Sequence, residues 1–274
     1  MKPSKTKSKH KTTHDVLILV RDIFFLMIGV IATIIVTQIV IGKLMILMIG
    51  REAFAETVPT AIFSALTYVV AMLIIIWLPP KLKSAWSALK KRKNKHAKIK
   101  EASKVMSREK LGLKDLPTWL DIGLAPAGFI VYLILAAALV TVFSIFPWFD
   151  AEQTQNLGFD IYLTGGERLI AFIVLVVIAP IAEEIIFRGW LYAKVKDRLS
   201  EETTRRAAAI ITALIVSLTF GIVHLQWNVG VNVFAMSLVA CALREFTGTI
   251  YAGILLHMLK NGIAFYLLFV LGIT

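Results

Sequence analysis

Long apolar runs constrain this chain more than any other feature of its sequence. Each run is close to the roughly 20 residues that an α-helix needs to cross the hydrocarbon core of a bilayer. Apolar residues make up 58% of the 274 residues, too many for a water-soluble domain to bury. Inside a bilayer, backbone polar groups must pair within the protein, as they do in helices. The sequence therefore predicts an all-α, polytopic membrane helical bundle.

About seven crossings account for these runs, and two regions leave the count open between six and eight. Residues 41–50 either extend the first helix or lie at the membrane interface, and the short run at 229–243 is either a span or a tilted, partial crossing. The predicted spans are residues 20–41, 61–79, 121–146, 168–190, 207–225, 229–243 and 249–271.

Lysine and arginine mark one side of the predicted bundle. Residues 2–11 contain five lysines, residues 81–116 contain thirteen lysines and arginines, and residues 188–206 contain six. The loop at 149–167 carries four acidic residues and no lysine or arginine. Because basic residues favour cytoplasmic loops, we predict a multi-pass protein of the plasma membrane with a cytoplasmic N-terminus and, for an odd number of spans, an external C-terminus.

The runs and charges divide the chain into five parts. The basic loop either sets topology as a solvated segment or lies against anionic lipid headgroups. No nucleic-acid partner is expected despite the net charge of +12, because no binding motif accompanies the basic residues. The parts are a basic tail at 1–15, N-terminal membrane helices at 16–80, the basic cytoplasmic loop at 81–116, the third span with an external loop at 117–167, and a membrane core at 168–274.

The first polar motif in the core is Glu183-Glu184-Ile185-Ile186-Phe187-Arg188. Ionisable side chains at membrane depth are costly and usually functional. Glu184 and Arg188 are four residues apart on one helix face and can pair, while Glu183 lies about 100° around the helix. Glu183 is therefore the better candidate for a general base. The alternative is a charge cluster that reaches water near a helix end.

Two later motifs place a histidine before an asparagine. Phe220 and His224 are four residues apart, and Asn228 follows one turn later as possible polar lining, a helix cap or a solvated residue. His257 and Asn261 also share a helix face, and both can donate hydrogen bonds to a developing oxyanion. The alternative for both motifs is a structural role, as hydrogen-bonded links between helices.

The depth of the three motifs is similar but not equal. At about 1.5 Å per residue from the predicted cytoplasmic helix ends, Glu183, His224 and His257 lie about 18, 25 and 16 Å into the membrane. His224 is too deep by this measure. Its helix must tilt, start later than predicted, or meet a cavity that opens from the other side.

The chain contains the patterns E-E-x-x-x-R, F-x-x-x-H and H-x-x-x-N in this order. It thereby resembles the CAAX protease and bacteriocin-processing family of intramembrane endopeptidases. The resemblance covers residues 168–271. It implies peptide-bond hydrolysis in which Glu183 and His224 activate water, while His257 and Asn261 stabilise the oxyanion. Glu184 and Arg188 would organise the site.

The resemblance leaves two mechanisms and several substrates open. We expect a glutamate-dependent reaction without a cofactor, since no H-E-x-x-H pattern is present; the alternative is zinc held by Glu183, His224 and His257. The implied substrate is a peptide or a lipidated, membrane-anchored precursor, processed at a CAAX-type or leader-peptide site. The rival functions are a non-catalytic membrane immunity or binding protein and a proton-coupled transporter.

Overall fold

The computed structural model describes residues 13–93, 105–151, 159 and 163–273. Every regular element in these residues is a helix, and seven helices are long and apolar enough to cross a membrane. A one-turn helix, Arg51–Phe54, separates the first two. The seven are α1 (Thr13–Ile49), α2 (Thr57–Lys93), α3 (Trp119–Phe143), α4 (Gly165–Ser200), α5 (Arg205–Ile222), α6 (Trp227–Thr247) and α7 (Tyr251–Phe269).

The predicted class and the count of seven spans are confirmed, so the chain is a multi-pass membrane protein. Residues 41–49 extend α1, and the run at 229–243 belongs to a full helix of 21 residues. The predicted end of the fifth span at residue 225 is wrong, since α5 ends at Ile222. Helix α2 continues through Pro79 and Pro80 into the predicted basic loop, of which residues 94–104 lie outside the described residues.

Local sequence signals explain several helix ends. Thr118 caps α3 and Thr164 caps α4, and each forms a reciprocal capping box with an acidic residue three positions later. The Thr204 hydroxyl accepts from the backbone N–H of Ala207 at the start of α5. Gly248, with φ of 75°, ends α6 in the left-handed conformation that glycine adopts without strain. The chain therefore reverses direction at defined points.

Helix α4 is a composite element. Regular α-helix at Gly165–Phe172 is followed by π-helix at Ile173–Ile178, a short α-helical stretch at Ala179–Glu184, a second π-helix at Ile185–Leu191, and α-helix again at Tyr192–Ser200. π-Helical turns are rare and are often found at functional sites. The two adjacent glutamates lie at the boundary before the second π-helical segment.

Packing places α4 and α6 inside the bundle. These two are the most buried of the seven spans. Helix α6 packs on α5, α3 and α7, whereas α4 packs on α2 and α7, and α1 packs mainly on α2. Polar groups on α4 and α7 therefore face the protein interior rather than lipid.

Salt bridges and hydrogen bonds gather the basic segments at one end of the bundle, which we call the basic face. Arg198 near the end of α4 pairs with Asp22 of α1 at 2.7 Å, and Lys110 pairs with Asp197. We call the opposite end, where α3 ends and α4 begins, the acidic face. The helix ends at Thr57, Gly165, Ile222 and Phe269 lie on the acidic face.

Candidate active site

A cavity of about 100 Å³ lies inside the bundle and brings together residues from separate parts of the chain. It is enclosed by α2, α4, α7 and the turn between α5 and α6. Four of the residues predicted as catalytic line it, namely Glu183, His224, His257 and Asn261. The remaining lining residues are Tyr68, Leu175, Ala179, Val233, Lys260, Ala264, Phe265 and Phe269.

The two adjacent glutamates have different surroundings because they point to different sides of α4. Glu183 lines the cavity, whereas Glu184 is fully buried behind it. Glu184 Oε1 lies 3.1 Å from Arg188 Nη1 and 3.1 Å from His257 Nδ1. Glu184 thus connects a fixed cation on its own helix to the imidazole on α7. The pairing of Glu184 with Arg188 is the one predicted from their i, i+4 spacing.

An aromatic and cationic stack supports this pair. The buried Arg188 guanidinium lies 4.3 Å from the centre of the Phe220 ring, so a cation–π contact adds to the ion pair. The Phe220 ring also meets the rings of His224 and His257, with centroids 4.9 and 5.9 Å away. Phe220 therefore links the three motifs and sets the spacing between the two imidazoles.

His224 lies in the turn between α5 and α6 rather than on a helix. Helix α5 ends two residues earlier, and Leu225 adopts a positive φ of 56°. Nδ1 of His224 is 2.8 Å from the carbonyl oxygen of Phe220, which requires the hydrogen on Nδ1 and leaves Nε2 as an acceptor. Desolvation lowers the pKa of His224, and the Glu183 carboxylate and the Phe220 carbonyl oppose this effect.

His257 and Asn261 occupy successive turns of α7. His257 Nε2 is 3.6 Å from Glu183 Oε2, beyond a good hydrogen bond. Asn261 Nδ2 donates to the carbonyl oxygen of Leu175, in the first π-helical segment, at 2.9 Å. This bond orients the amide and leaves its second N–H for another acceptor.

One predicted residue lies elsewhere, and two lining residues were missed. Asn228 is buried in the first turn of α6 and is not among the cavity residues; the end of α5 before His224 means that the two share no helix face. Tyr68 of α2 lines the cavity with Glu183 and interacts with its carboxylate, but it lies in an ordinary apolar run with no motif to mark it. Lys260, which belongs to none of the three motifs, lines the cavity and interacts electrostatically with Glu183.

The zinc alternative requires three side chains to converge on one point. Among the described residues, no group of three histidine, cysteine, aspartate or glutamate side chains is arranged to hold a metal ion. Nδ1 of His257 contacts the Glu184 carboxylate and Nδ1 of His224 contacts the Phe220 carbonyl, and zinc-ligating histidines make the same kind of contact through the nitrogen that does not bind the metal. Glu183, His224 and His257 are therefore the residues that would hold zinc in the metal alternative, and the reaction proposed below uses no metal.

Comparison with known proteins identifies the segment that contains these residues. A family model described as "Type II CAAX prenyl endopeptidase Rce1-like" matches residues 165–263. The match covers less than half of the chain and agrees with the resemblance to the CAAX protease and bacteriocin-processing family. It runs from the start of α4 to two residues beyond Asn261, so the matched segment contains Glu183, His224, His257 and Asn261. No curated protein and no solved structure matches the chain.

The printed description of the matched family is that of an endopeptidase, an enzyme that hydrolyses peptide bonds, and the chain has seven helices long and apolar enough to cross a membrane. Tyr68 lies outside the matched segment but contributes to the same cavity. The membrane helices before α4 therefore add to the site of the matched segment.

Proposed function

We propose that this protein is an intramembrane endopeptidase in which Glu183 activates the attacking water. One observation carries the proposal: Glu183, His224, His257 and Asn261, from α4, α7 and the α5–α6 turn, line a single buried cavity. A peptide bond and a water molecule are small enough to meet there. The predicted substrate is a peptide or a lipidated, membrane-anchored precursor, in keeping with the family match.

The proposed reaction begins with proton transfer from water to the Glu183 carboxylate. His224 accepts a second hydrogen bond from the same water through Nε2, because its Nδ1–H is held by Phe220. The water oxygen attacks the carbonyl carbon of the scissile bond. As the tetrahedral intermediate breaks, the C–N bond cleaves and Glu183 passes the proton to the leaving amine, which restores the carboxylate.

Two donors on α7 stabilise the oxyanion in this scheme. As an imidazolium, His257 donates from Nδ1 to Glu184 and retains Nε2–H for the oxyanion. Asn261 contributes the amide N–H that Leu175 leaves unused.

The experiment that tests the proposal is peptide cleavage by purified protein in detergent. Candidate leader peptides and a CAAX-type peptide are incubated with wild type and Glu183→Gln, each with and without a zinc chelator. We expect Glu183→Gln to reduce cleavage by about 10³-fold, because an amide cannot accept the water proton. Glu201→Gln, at an exposed position outside the cavity, serves as the matched control and should cleave normally.

The outcomes distinguish the remaining alternatives. Cleavage that depends on Glu183 and survives chelation supports the glutamate mechanism, whereas chelator-sensitive cleavage restored by zinc supports the metal alternative. Equal cleavage by wild type and Glu183→Gln contradicts the proposal. A non-catalytic immunity protein would keep its cellular phenotype in the variant, and a proton-coupled transporter would lose flux without any proteolysis.

A further inference from the structure

Lys260 lies in the middle of a membrane helix and has no part in the proposed reaction. It is the tenth of the 19 residues of α7, and among the described residues that line the cavity it is the only lysine or arginine. Its charge acts on both Glu183 and His224. Because a charged side chain at membrane depth is costly, it usually marks a functional site.

The Lys260 ammonium lacks the fixed partners that the other buried cation of the site has. Arg188 is paired with Glu184 and stacked on Phe220 behind the cavity. In the part of the chain that the structure describes, Lys260 forms no salt bridge and donates no hydrogen bond to a side chain. Its three N–H donors are therefore available to a group that enters the cavity.

Helical spacing separates Lys260 from the two proposed oxyanion donors. At about 100° per residue, Lys260 lies about 60° to one side of His257, and Asn261 lies about 40° to the other side. The proposed reaction holds the scissile carbonyl between His257 and Asn261. Lys260 is thus placed to meet a neighbouring part of the substrate rather than the carbonyl itself.

The charge around Lys260 changes when Glu183 acts as the base. Glu183 is the only carboxylate among the described lining residues. Proton transfer from water makes Glu183 neutral, and the negative charge passes to the oxyanion beside His257 and Asn261. An unpaired cation in apolar surroundings is costly, so a negative group on the substrate would be favoured beside Lys260. The apolar lining residues are Leu175, Ala179, Val233, Ala264, Phe265 and Phe269.

We propose that Lys260 determines specificity by binding a carboxylate of the substrate close to the scissile bond. This inference rests on the proposed protease function and adds a substrate feature to it. The carboxylate is either the C-terminus of the peptide or an acidic side chain beside the scissile bond. In both cases the ammonium forms charge-assisted hydrogen bonds, which are stronger than neutral ones.

Peptide binding tests the role of Lys260 without any cleavage. The CAAX-type peptide is made with a free C-terminal carboxylate, as its C-terminal amide, and as the amide with one glutamate placed in turn at each residue near the C-terminus. Dissociation constants are measured in detergent for Glu183→Gln, in which Lys260 is unchanged or replaced as Lys260→Met or Lys260→Arg. Lys43→Met, at an exposed position of α1 outside the cavity, is the matched control.

We expect a carboxylate-bearing peptide to bind about tenfold more tightly than the plain amide, the effect of one charge-assisted hydrogen bond. Lys260→Met should remove this difference without weakening the binding of the amide. Lys260→Arg should keep most of the difference, and Lys43→Met should keep all of it. Tight binding of the free C-terminus alone identifies the terminal carboxylate, whereas tight binding of a glutamate-bearing amide identifies the acidic side chain.

Two results would overturn the proposal. The first is equal affinity of the carboxylate and amide peptides for the protein with Lys260 unchanged. The second is equal weakening of both by Lys260→Met, because Lys260 would then act on groups of the protein itself. Melting temperatures are measured for each variant, and Lys260→Gln replaces Lys260→Met if the methionine variant does not fold.

Cleavage by the unchanged protein separates this inference from the protease function. Glu183-dependent cleavage of the carboxylate and amide peptides with equal kcat/KM would contradict the role of Lys260 and leave the protease function intact. If no peptide is cut in a Glu183-dependent way, the protease function fails. The dissociation constants then still decide whether Lys260 binds a carboxylate.

Discussion

At the scale of single residues, the site depends most on the different surroundings of two neighbouring carboxylates, those of Glu183 and Glu184. Glu184 is held by Arg188 and His257, and Glu183 faces the cavity with Tyr68 and Lys260 nearby. Glu184 is engaged by Arg188 and His257 away from the cavity, whereas Glu183 lines the cavity, where it can meet water. The order of the two glutamates along α4 is therefore the reason that Glu183, rather than Glu184, is proposed as the base.

The pH dependence of cleavage should report His224. Desolvation lowers its pKa from the ordinary histidine value near 6.5, so the imidazole stays neutral to a lower pH than an exposed histidine. The proposed role needs the neutral form. We therefore expect kcat/KM to persist below about pH 6.5 and to fall only as the pH drops through the lowered pKa. An acid limb at or above the ordinary histidine range would contradict this assignment.

Gly253 leaves room for the Glu184 side chain. Replacing Gly253 should therefore show whether cleavage depends on the position of the Glu184 carboxylate. A Cβ at Gly253 would lie 3.1 Å from Glu184 Oε2, so Gly253→Ala should displace the carboxylate and loosen its contact with His257. We expect cleavage to fall by about tenfold or more, about 1.4 kcal/mol in transition-state stabilisation.

The matched control for Gly253 lies on the same helix. A Cβ at Gly262 would meet only Val176 Cγ1 at 3.6 Å, an ordinary contact, so Gly262→Ala should leave the rate within about twofold. Rates of cleavage and detergent melting curves are measured for both variants. Equal loss of activity in the two would indicate that added volume on α7, rather than the position of Glu184, causes the effect.

Among the helices, α5 and α6 must approach each other closely enough to place His224. Gly221 and Gly230 lie at their crossing, and a Cβ on Gly221 would come within 2.9 Å of the Gly230 carbonyl oxygen. Backbone atoms cannot move aside as a flexible side chain can. The two helices must therefore separate if either glycine is replaced.

We expect Gly221→Ala to lower stability by about 1–3 kcal/mol, as overpacking does, and to abolish most cleavage because His224 is three residues away. Gly123→Ala in α3 is the control, since its Cβ would meet nothing within 4 Å. Thermal unfolding in detergent and cleavage of the same peptide are measured. Normal activity of Gly221→Ala would mean that the helix crossing does not position His224.

The π-helical segments of α4 have a comparable positioning role. The first supplies the Leu175 carbonyl that accepts from Asn261, and the second begins directly after Glu184. A wider helical turn changes the direction in which carbonyls and side chains point. In this way α4 meets α7 at two levels, through Glu184 with His257 and through Leu175 with Asn261.

Across the complete bundle, the N-terminal helices complete a site that the family match only partly covers. Tyr68 of α2 lies 97 positions before the first matched residue and contacts Glu183. A hydrogen bond to a charged group typically contributes about 1.5–3 kcal/mol. We expect Tyr68→Phe to fold normally but to lower kcat by about tenfold.

The control for Tyr68 is Tyr266→Phe, which removes a hydroxyl from an exposed tyrosine on α7. It should cleave like wild type. Rates and melting temperatures of both variants are compared with those of the unchanged protein. Wild-type kcat in Tyr68→Phe would show that the contact with Glu183 has no positioning role.

The bundle class, a span number of about seven and the side-chain pairs within single motifs follow from the sequence alone. Apolar runs of membrane length require helices, and an i, i+4 spacing places Glu184 beside Arg188 and His257 beside Asn261 whatever the tertiary contacts are. These properties depend on residues close together in the chain. They could therefore be predicted without knowledge of how the helices pack.

Contacts between groups that are distant in the chain depend instead on the packing of the bundle. The contact of Tyr68 with Glu183, the absence of Asn228 from the cavity and the π-helical turns all depend on how helices cross and where α5 ends. Apolar helices can pack in many arrangements of similar hydrophobicity, so periodicity cannot select among them. Close contacts such as Gly221 with Gly230 and the buried Glu184–Arg188–His257 cluster make one arrangement more stable than the others.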